Sequence, residues 1–168
     1  QLAKKNAIVS RLAAIEEMAG IDILCSDKTG TLTLNQLTLG EPFCVGNTAP
    51  EALILNASLA SRNENEDPID LAVIAGLKPE QSLKDYNIIH FQPFDPVGKR
   101  TEATVENTNG DRFKVTKGAT QIILALSTNV DQVQPQVDQA IAQFAQRGFR
   151  SLGVARTDDR DNWQFLGV

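Results

Sequence analysis

The spacing of apolar residues changes period several times along the chain, and each change marks an element. Leu2, Ile8, Val9, Leu12, Ile15 and Met18 recur at helical spacing, Lys4, Lys5, Arg11, Glu16 and Glu17 fall on other faces, and Gly20 stands where such a helix stops. This amphipathic helix leads into Ile21-Asp22-Ile23-Leu24-Cys25, a short, apolar, β-branched run that predicts a buried strand, with Cys25 a small buried residue. Residues 34–47 read as strand and loop. Thr48-Ala49-Pro50-Glu51 has the spelling of a capping box and opens a helix to about Ser61, after which Arg62 to Glu66 form a polar loop. Asp67-Pro68-Ile69-Asp70 places a capping residue, a first-turn proline and an acid at the start of a short helix ending near Leu77. Lys78 to Asp85 then connect.

From Asn87 the period shortens to that of strands: Asn87 to Phe94, Arg100 to Val105 and Arg112 to Lys117, the last two joined by a turn holding Asn109-Gly110. Ala119 to Leu126 reads as a helix, and Val137, Ala140, Ile141, Phe144 and Ala145 mark another that Gly148 closes. Ser151 to Ala155 and Trp163 to Val168 are two further strands. The order predicts an α/β fold of the α+β type, with an antiparallel twisted sheet flanked by helices. His90, between Ile89 and Phe91, reads as a structural side chain, and Trp163 as a packing residue.

Composition narrows the function. The 168 residues suffice for one sizeable core, burying about 70% of the unfolded surface. A net charge of −5 argues against a nucleic-acid partner, which needs a basic footprint, but leaves room for a nucleotide held by a few lysines. The two cysteines, Cys25 and Cys44, have neither zinc nor disulfide spacing and suit a reducing cytosol. No run approaches the length of a membrane-spanning helix, so direct membrane insertion is not expected.

The candidate chemistry begins just past the first predicted strand. Asp27 stands beyond its carboxyl end, where ligands collect in open α/β sheets. A carboxylate there is ionised at neutral pH and attacks a γ-phosphorus without a general base, forming an acyl phosphate. Thr29, Gly30 and Thr31 supply hydroxyls and a close backbone turn for the transferred phosphoryl group. Mg²⁺ is expected beside them, since it favours carboxylates together with phosphate oxygens. The same residue types also suit a plain Asx-type turn.

A second constellation lies at Phe91-Gln92-Pro93-Phe94-Asp95-Pro96-Val97-Gly98-Lys99-Arg100-Thr101. Phe94 with two cations downstream suits an adenine platform, although a strand-end phenylalanine is equally at home in a core. Lys117-Gly118-Ala119 closes a strand and opens a helix, where backbone N–H groups welcome a phosphate; a solvated lysine is the plainer reading.

Taken together, these motifs resemble those of the P-type cation-transporting ATPases. Asp27-Lys28-Thr29-Gly30-Thr31-Leu32-Thr33 is similar to the family's phosphorylation motif. The acid-bearing helix, the Phe-to-Lys-Arg loop, Lys117-Gly118-Ala119 and Gly148-Phe149-Arg150-Ser151-Leu152 follow in the order of its nucleotide-binding domain. Arg11 to Gly20, Ile69-Asp70, and Pro93-Phe94-Asp95-Pro96-Val97 with Lys99-Arg100-Thr101 resemble the plasma-membrane proton-pumping branch. The resemblance covers nearly the entire chain.

It implies that residues 1–38 are an N-terminal fragment of a Rossmann-like, haloacid-dehalogenase-type phosphorylation domain with a linker helix, and that 39–168 are a nucleotide-binding domain. It implies Asp27 as the phosphorylated residue, Lys28 beside it in the catalytic loop, and Thr29 in contact with phosphate and, with Asp27, Mg²⁺. Phe94 would stack on adenine, Lys99, Lys117 and Gly118 would line the nucleotide pocket, Arg150 would reach the phosphates and Asp70 would contact the adenine side. Asp70 also suits a plain role in the first turn of its helix. Gly98 stands where proton pumps commonly carry an acid, and Pro96 replaces an arginine of the calcium pumps. ATP and Mg²⁺ are the implied cofactors. The implied partners are the rest of the phosphorylation domain, the actuator domain and the transmembrane helices of the same pump, at the cytosolic face of a membrane. The family's Gly-Asp-Gly-x-Asn-Asp and Thr-Gly-Asp segments do not occur in these residues, so the chain is expected to bind ATP without turning it over. The alternatives are a soluble haloacid-dehalogenase-type phosphatase or phosphotransferase, which usually carries an aspartate where Thr29 stands, and a non-catalytic nucleotide-binding module.

Overall fold

In the computed structural model residues 11, 13–28, 32–33, 36–64, 66–79 and 82–168 are described. The chain divides into two units, Gln1–Gln36 and Leu37–Val168.

In the first unit α1 (Ala13–Ala19) forms inside the predicted helical stretch, and the Gly20 amide donates to the Glu17 carbonyl at 3.2 Å where the helix ends. The expected start of that helix, residues 1–10 and 12, lies outside the described residues. Residues 21–27 are not the expected buried strand. Ile23 and Leu24 are each 82% exposed, and Cys25 is exposed rather than buried. A buried strand needs hydrogen-bonding neighbours along its edges and apolar cover on both faces. Among the described residues of this unit there is no second strand to pair with.

The second unit carries the sheet that the alternation predicts. Its strands are β1 (Tyr86–Gln92), β2 (Arg100–Asn107), β3 (Arg112–Gly118), β4 (Gly153–Thr157) and β5 (Trp163–Gly167), all antiparallel and in sequential order across the sheet. The β2–β3 turn is built by Asn107, whose side-chain oxygen accepts from the Asn109 and Asp111 amides at 2.9 Å each, with Gly110 at φ +85°. The outer edge of β5 is closed by residues 43–45. Phe43 and Val168 exchange N–H···O bonds of 2.8 Å, and the Val45 amide donates to the Leu166 carbonyl. β1 forms the other edge, with a bulge between Ile88 and His90; His90 is exposed.

Helices cover the two faces unequally. On one face α2 (Pro50–Leu59) and α3 (Pro68–Ala75) pack over β1–β4, bringing Leu53, Ala57, Leu59 and Val73 against Phe91, Ala103, Val105, Phe113, Val115 and Val154. On the other, α4 (Thr120–Leu126) and α5 (Val130–Gln146) cover the β3–β5 side. There Ile123, Leu124, Val133 and Val137 bury Ala155 and Phe165, and Trp163 packs alongside as expected. Each fully buried Val, Leu, Ile or Phe among these stabilises the fold by about 1.5–3 kcal/mol. On β2 and β3 the face turned away from α2 carries Glu102, Thr104 and Lys114, all half-buried.

Caps are local, and one of the two expected ones forms. The Asp67 side chain accepts from the Ile69 and Asp70 amides at 2.8 and 3.3 Å, which starts α3 where the sequence predicts. The capping box at Thr48 does not form. The N-cap of α2 is Ala49, one residue later than Thr48 and with no side chain able to cap, and Glu51 forms an ion pair with Lys78. α5 ends as predicted, with Gly148 at φ +78° and its amide on the Ala145 carbonyl.

Candidate functional site

Three elements of the second unit deliver polar side chains to one buried point. β2 and β3 are paired so that Thr101 lies opposite Lys117, both on the face covered by α2 and α3. α2 ends there with the Ala60 carbonyl, and α3 brings Asp70 from its first turn. Lys117 Nζ donates to Asp70 Oδ1 at 2.6 Å, to the Ala60 carbonyl at 3.1 Å and to Thr101 Oγ1 at 3.3 Å. The ammonium's three protons are therefore all engaged. Thr101 Oγ1 in turn donates to the Ala60 carbonyl at 2.7 Å, and Asp70 Oδ2 accepts from the Arg62 amide at 2.9 Å. Asp70, Thr101 and Lys117 are 7%, 6% and 4% exposed. Two opposite charges this deep persist because every donor and acceptor is matched.

Asp70 and Lys117, which the sequence places separately in a pocket, are thus each other's partner. Neither plain alternative describes them: Lys117 is not solvated, and Asp70 does more than favour its helix start. Thr101, the Ala60 carbonyl and Arg62 were missed. Thr101 had a signal, since it continues the inward alternation of Ala103 and Val105, but a hydroxyl in phase with a core face does not announce its partner.

The loop after β1 is held by Asp95. Its carboxylate accepts from the Gly98 amide at 2.6 Å and the Val97 amide at 3.3 Å, while its carbonyl accepts from the Lys99 amide at 2.6 Å. Lys99 adopts φ +51°, and its side chain is exposed. Phe94 is 61% exposed, so it is not a core residue. A Cβ at Gly98 would lie 3.0 Å from Asp95 Oδ2, so an acid in its place would crowd the carboxylate that shapes the loop.

Gly118 joins this loop to the buried cluster. The Ala119 amide donates to the Lys99 carbonyl at 3.0 Å, and a Cβ at Gly118 would collide with that carbonyl and lie 2.7 Å from Arg100 Cα. Both obstacles are backbone and cannot rotate away. Gly118→Ala is expected to lower stability by about 1–3 kcal/mol in urea unfolding and to shift the amide resonances of residues 95–100. Wild-type stability in this variant would mean that the loop can back away freely. Arg150 is exposed beyond α5, and among the described residues no hydrogen bond or ion pair ties it to the cluster.

In the first unit Asp27 is exposed, and its carbonyl accepts from Ser26 Oγ at 3.4 Å. The Lys28 carbonyl accepts from the Thr33 amide and hydroxyl at 3.0 and 3.2 Å. Thr29, Gly30 and Thr31 lie outside the described residues. Among the described residues no three His, Cys, Asp or Glu side chains converge as a metal site. The Asp27 carboxylate suits one position on a Mg²⁺ ion whose other ligands are phosphate oxygens and water.

The chain is 48% identical over 170 residues to a putative cation-transporting ATPase of Methanocaldococcus jannaschii, spanning 99% of this chain and 21% of that protein. It is 45% identical over 177 residues to the plasma membrane ATPase of Neurospora crassa, and 44% identical over 177 residues to plasma membrane ATPase 1 of Saccharomyces cerevisiae. Each of these matches spans 99% of this chain and 19% of the relative. No family model matches. The chain spans about a fifth of the length of the curated relatives it matches.

Proposed function

We propose, from the premise that this chain belongs to the P-type cation-transporting ATPases near their plasma-membrane branch, that it supplies the ATP site and the phosphate-accepting aspartate of an ion pump. The observation that carries this reading is the 44–48% identity to ATPases across 99% of the chain. The geometry supports it with an exposed aromatic, Phe94, on the loop that Gly118 packs beside the buried Asp70–Lys117 pair. Residues 39–168 are the nucleotide-binding domain and residues 1–38 begin the phosphorylation domain.

Adenine stacks on Phe94, while Lys99, Lys117 and Gly118 line the pocket and Arg150 and Lys99 meet the phosphates. Lys117 has no spare proton in the unliganded arrangement, so a contact to nucleotide exchanges one of its partners, and Thr101, at the longest of the three distances, is the one released. In the complete pump a carboxylate oxygen of Asp27 bonds to the γ-phosphorus, the bond from that phosphorus to the β-bridging oxygen breaks, and ADP leaves with the electron pair. Asp27 and Thr29 are the residues that would hold a Mg²⁺ ion, which would supply positive charge to the transferred phosphoryl group.

The rest of the phosphorylation domain, an actuator domain and membrane helices belong to the same pump, with this part at the cytosolic face. Among the described residues no helix is long and apolar enough to cross a membrane. The transported cation is a proton by the branch that the motifs resemble. Alone, the chain binds ATP and does not turn it over.

Amide-shift mapping tests the site. Millimolar ATP is expected to shift resonances around Phe94 and Lys117, and Phe94→Ala to weaken binding by about 5- to 150-fold, the range of one base stacked on an aromatic ring. No shift around either residue would overturn the proposal.

A further inference from the structure

Arg62 is read from the sequence as one residue of a polar loop, yet it is held at both ends. Its amide donates to Asp70 Oδ2 at 2.9 Å, which pins its backbone to the edge of the buried pair. Its guanidinium carbon lies over the ring of Phe91, 4.2 Å from the centroid. The nearby carboxylate is not its ion-pair partner, because Asp70 Oδ1 is taken by Lys117. Among the described residues no acid forms an ion pair with the Arg62 guanidinium. The result is an exposed cation set against an aromatic ring.

Its position is specific. Phe91 is the penultimate residue of β1, and Phe94 stands exposed three residues further on. Ala103 pairs with Phe91, and Thr101, two residues before it on β2, pairs with Lys117. The guanidinium, the exposed ring and the buried ion pair therefore gather at one end of β1–β3. A guanidinium plane stacks on a nucleobase much as an aromatic ring does, and a ring behind it limits the freedom it loses on doing so.

We propose that Arg62 is a further nucleotide-binding residue, its guanidinium stacking on the purine base with Phe91 as its backing. This rests on the reading of the second unit as an ATP site and adds to it a base contact that the motifs do not contain. Loss of the side chain leaves the amide on Asp70 in place, so the buried pair survives substitution.

The test titrates the full chain with ATP and, separately, with adenosine, for the wild type, Arg62→Ala and Arg62→Lys, with melting temperatures alongside. Arg62→Ala is expected to weaken both ligands about five- to tenfold with an unchanged melting temperature. Arg62→Lys, which keeps the charge and loses the plane, is expected to weaken adenosine as much as alanine does. Recovery of adenosine binding by lysine, or a loss confined to ATP that rising salt removes, would make Arg62 a charge contact to phosphate and overturn the proposal. So would unchanged affinities in a wild-type background that binds ATP, or an affinity loss that follows a fall in melting temperature. A wild type that binds neither ligand would sink the ATP site itself, a result distinct from all of these.

Discussion

Asp70→Ala is expected to destabilise the Leu37–Val168 unit by about 3–5 kcal/mol, the usual consequence of leaving one member of a buried ion pair alone. For a unit of this size that corresponds to a fall of about 10–20 °C in melting temperature. The Lys117 ammonium would keep the Ala60 carbonyl and Thr101 Oγ1, two neutral acceptors, and lose its only charged partner. At 4% exposure it would be left buried with no opposite charge beside it. Lys117→Met is expected to cost a similar amount, since it leaves the Asp70 carboxylate with the Arg62 amide alone. Combining Asp70→Leu with Lys117→Met removes both charges and is expected to recover most of the loss. The double variant also separates packing from recognition, because restored stability is expected without restored ATP binding. Denaturant unfolding of the two single variants and the double decides the matter. A loss below about 1 kcal/mol in Asp70→Ala would show that the ammonium reaches water and that the cluster is an open surface feature.

What the sequence reveals of this arrangement follows the range of the interactions involved. The start of α3 is legible because Asp67 caps amides two and three residues away and Pro68 fits the first turn. The five strands are legible because alternation such as Thr101, Ala103, Val105 reports a half-covered face directly. The Asp70–Lys117 pair was not, since it joins residues 47 apart through the register of β2 against β3 and the packing of α3. Two local readings fail for want of context. Thr48 and Glu51 have the right spacing for a capping box, but α2 begins one residue later, with Ala49 as its N-cap. Ile21 to Cys25 has the composition of a buried strand, but composition supplies no neighbours, and Ile23 and Leu24 remain exposed. Phe94 shows the reverse case. Composition alone favours a core position for it, and the turn that Asp95 imposes holds it out in solvent.

In the ion pump proposed above, Asp27→Ala is expected to reduce both the ATP-derived phosphoenzyme and ATP-driven ion movement to background. The step needs an anionic oxygen at that position, and alanine supplies none. Asp27→Asn keeps the shape and removes the nucleophile, so it is expected to fail equally. Asp27→Glu keeps the carboxylate but displaces it by about one bond length, which by the usual sensitivity of in-line transfer to position costs about 10²-fold or more. ATP binding around Phe94 and Lys117 is expected to survive all three changes, because those residues belong to the other unit. The measurement is hydroxylamine-sensitive labelling from ATP, run beside nucleotide binding on the same preparations. The isolated chain is expected to show no such label. The Gly-Asp-Gly-x-Asn-Asp segment that the resemblance implies for the Mg²⁺ site does not occur in these residues. Robust labelling of the chain alone would mean that acids outside it are dispensable. Undiminished transport in the Asp27→Ala pump would mean that phosphate never resides on this carboxylate, and the resemblance of Asp27 to Thr33 to a phosphorylation motif would have no chemical content.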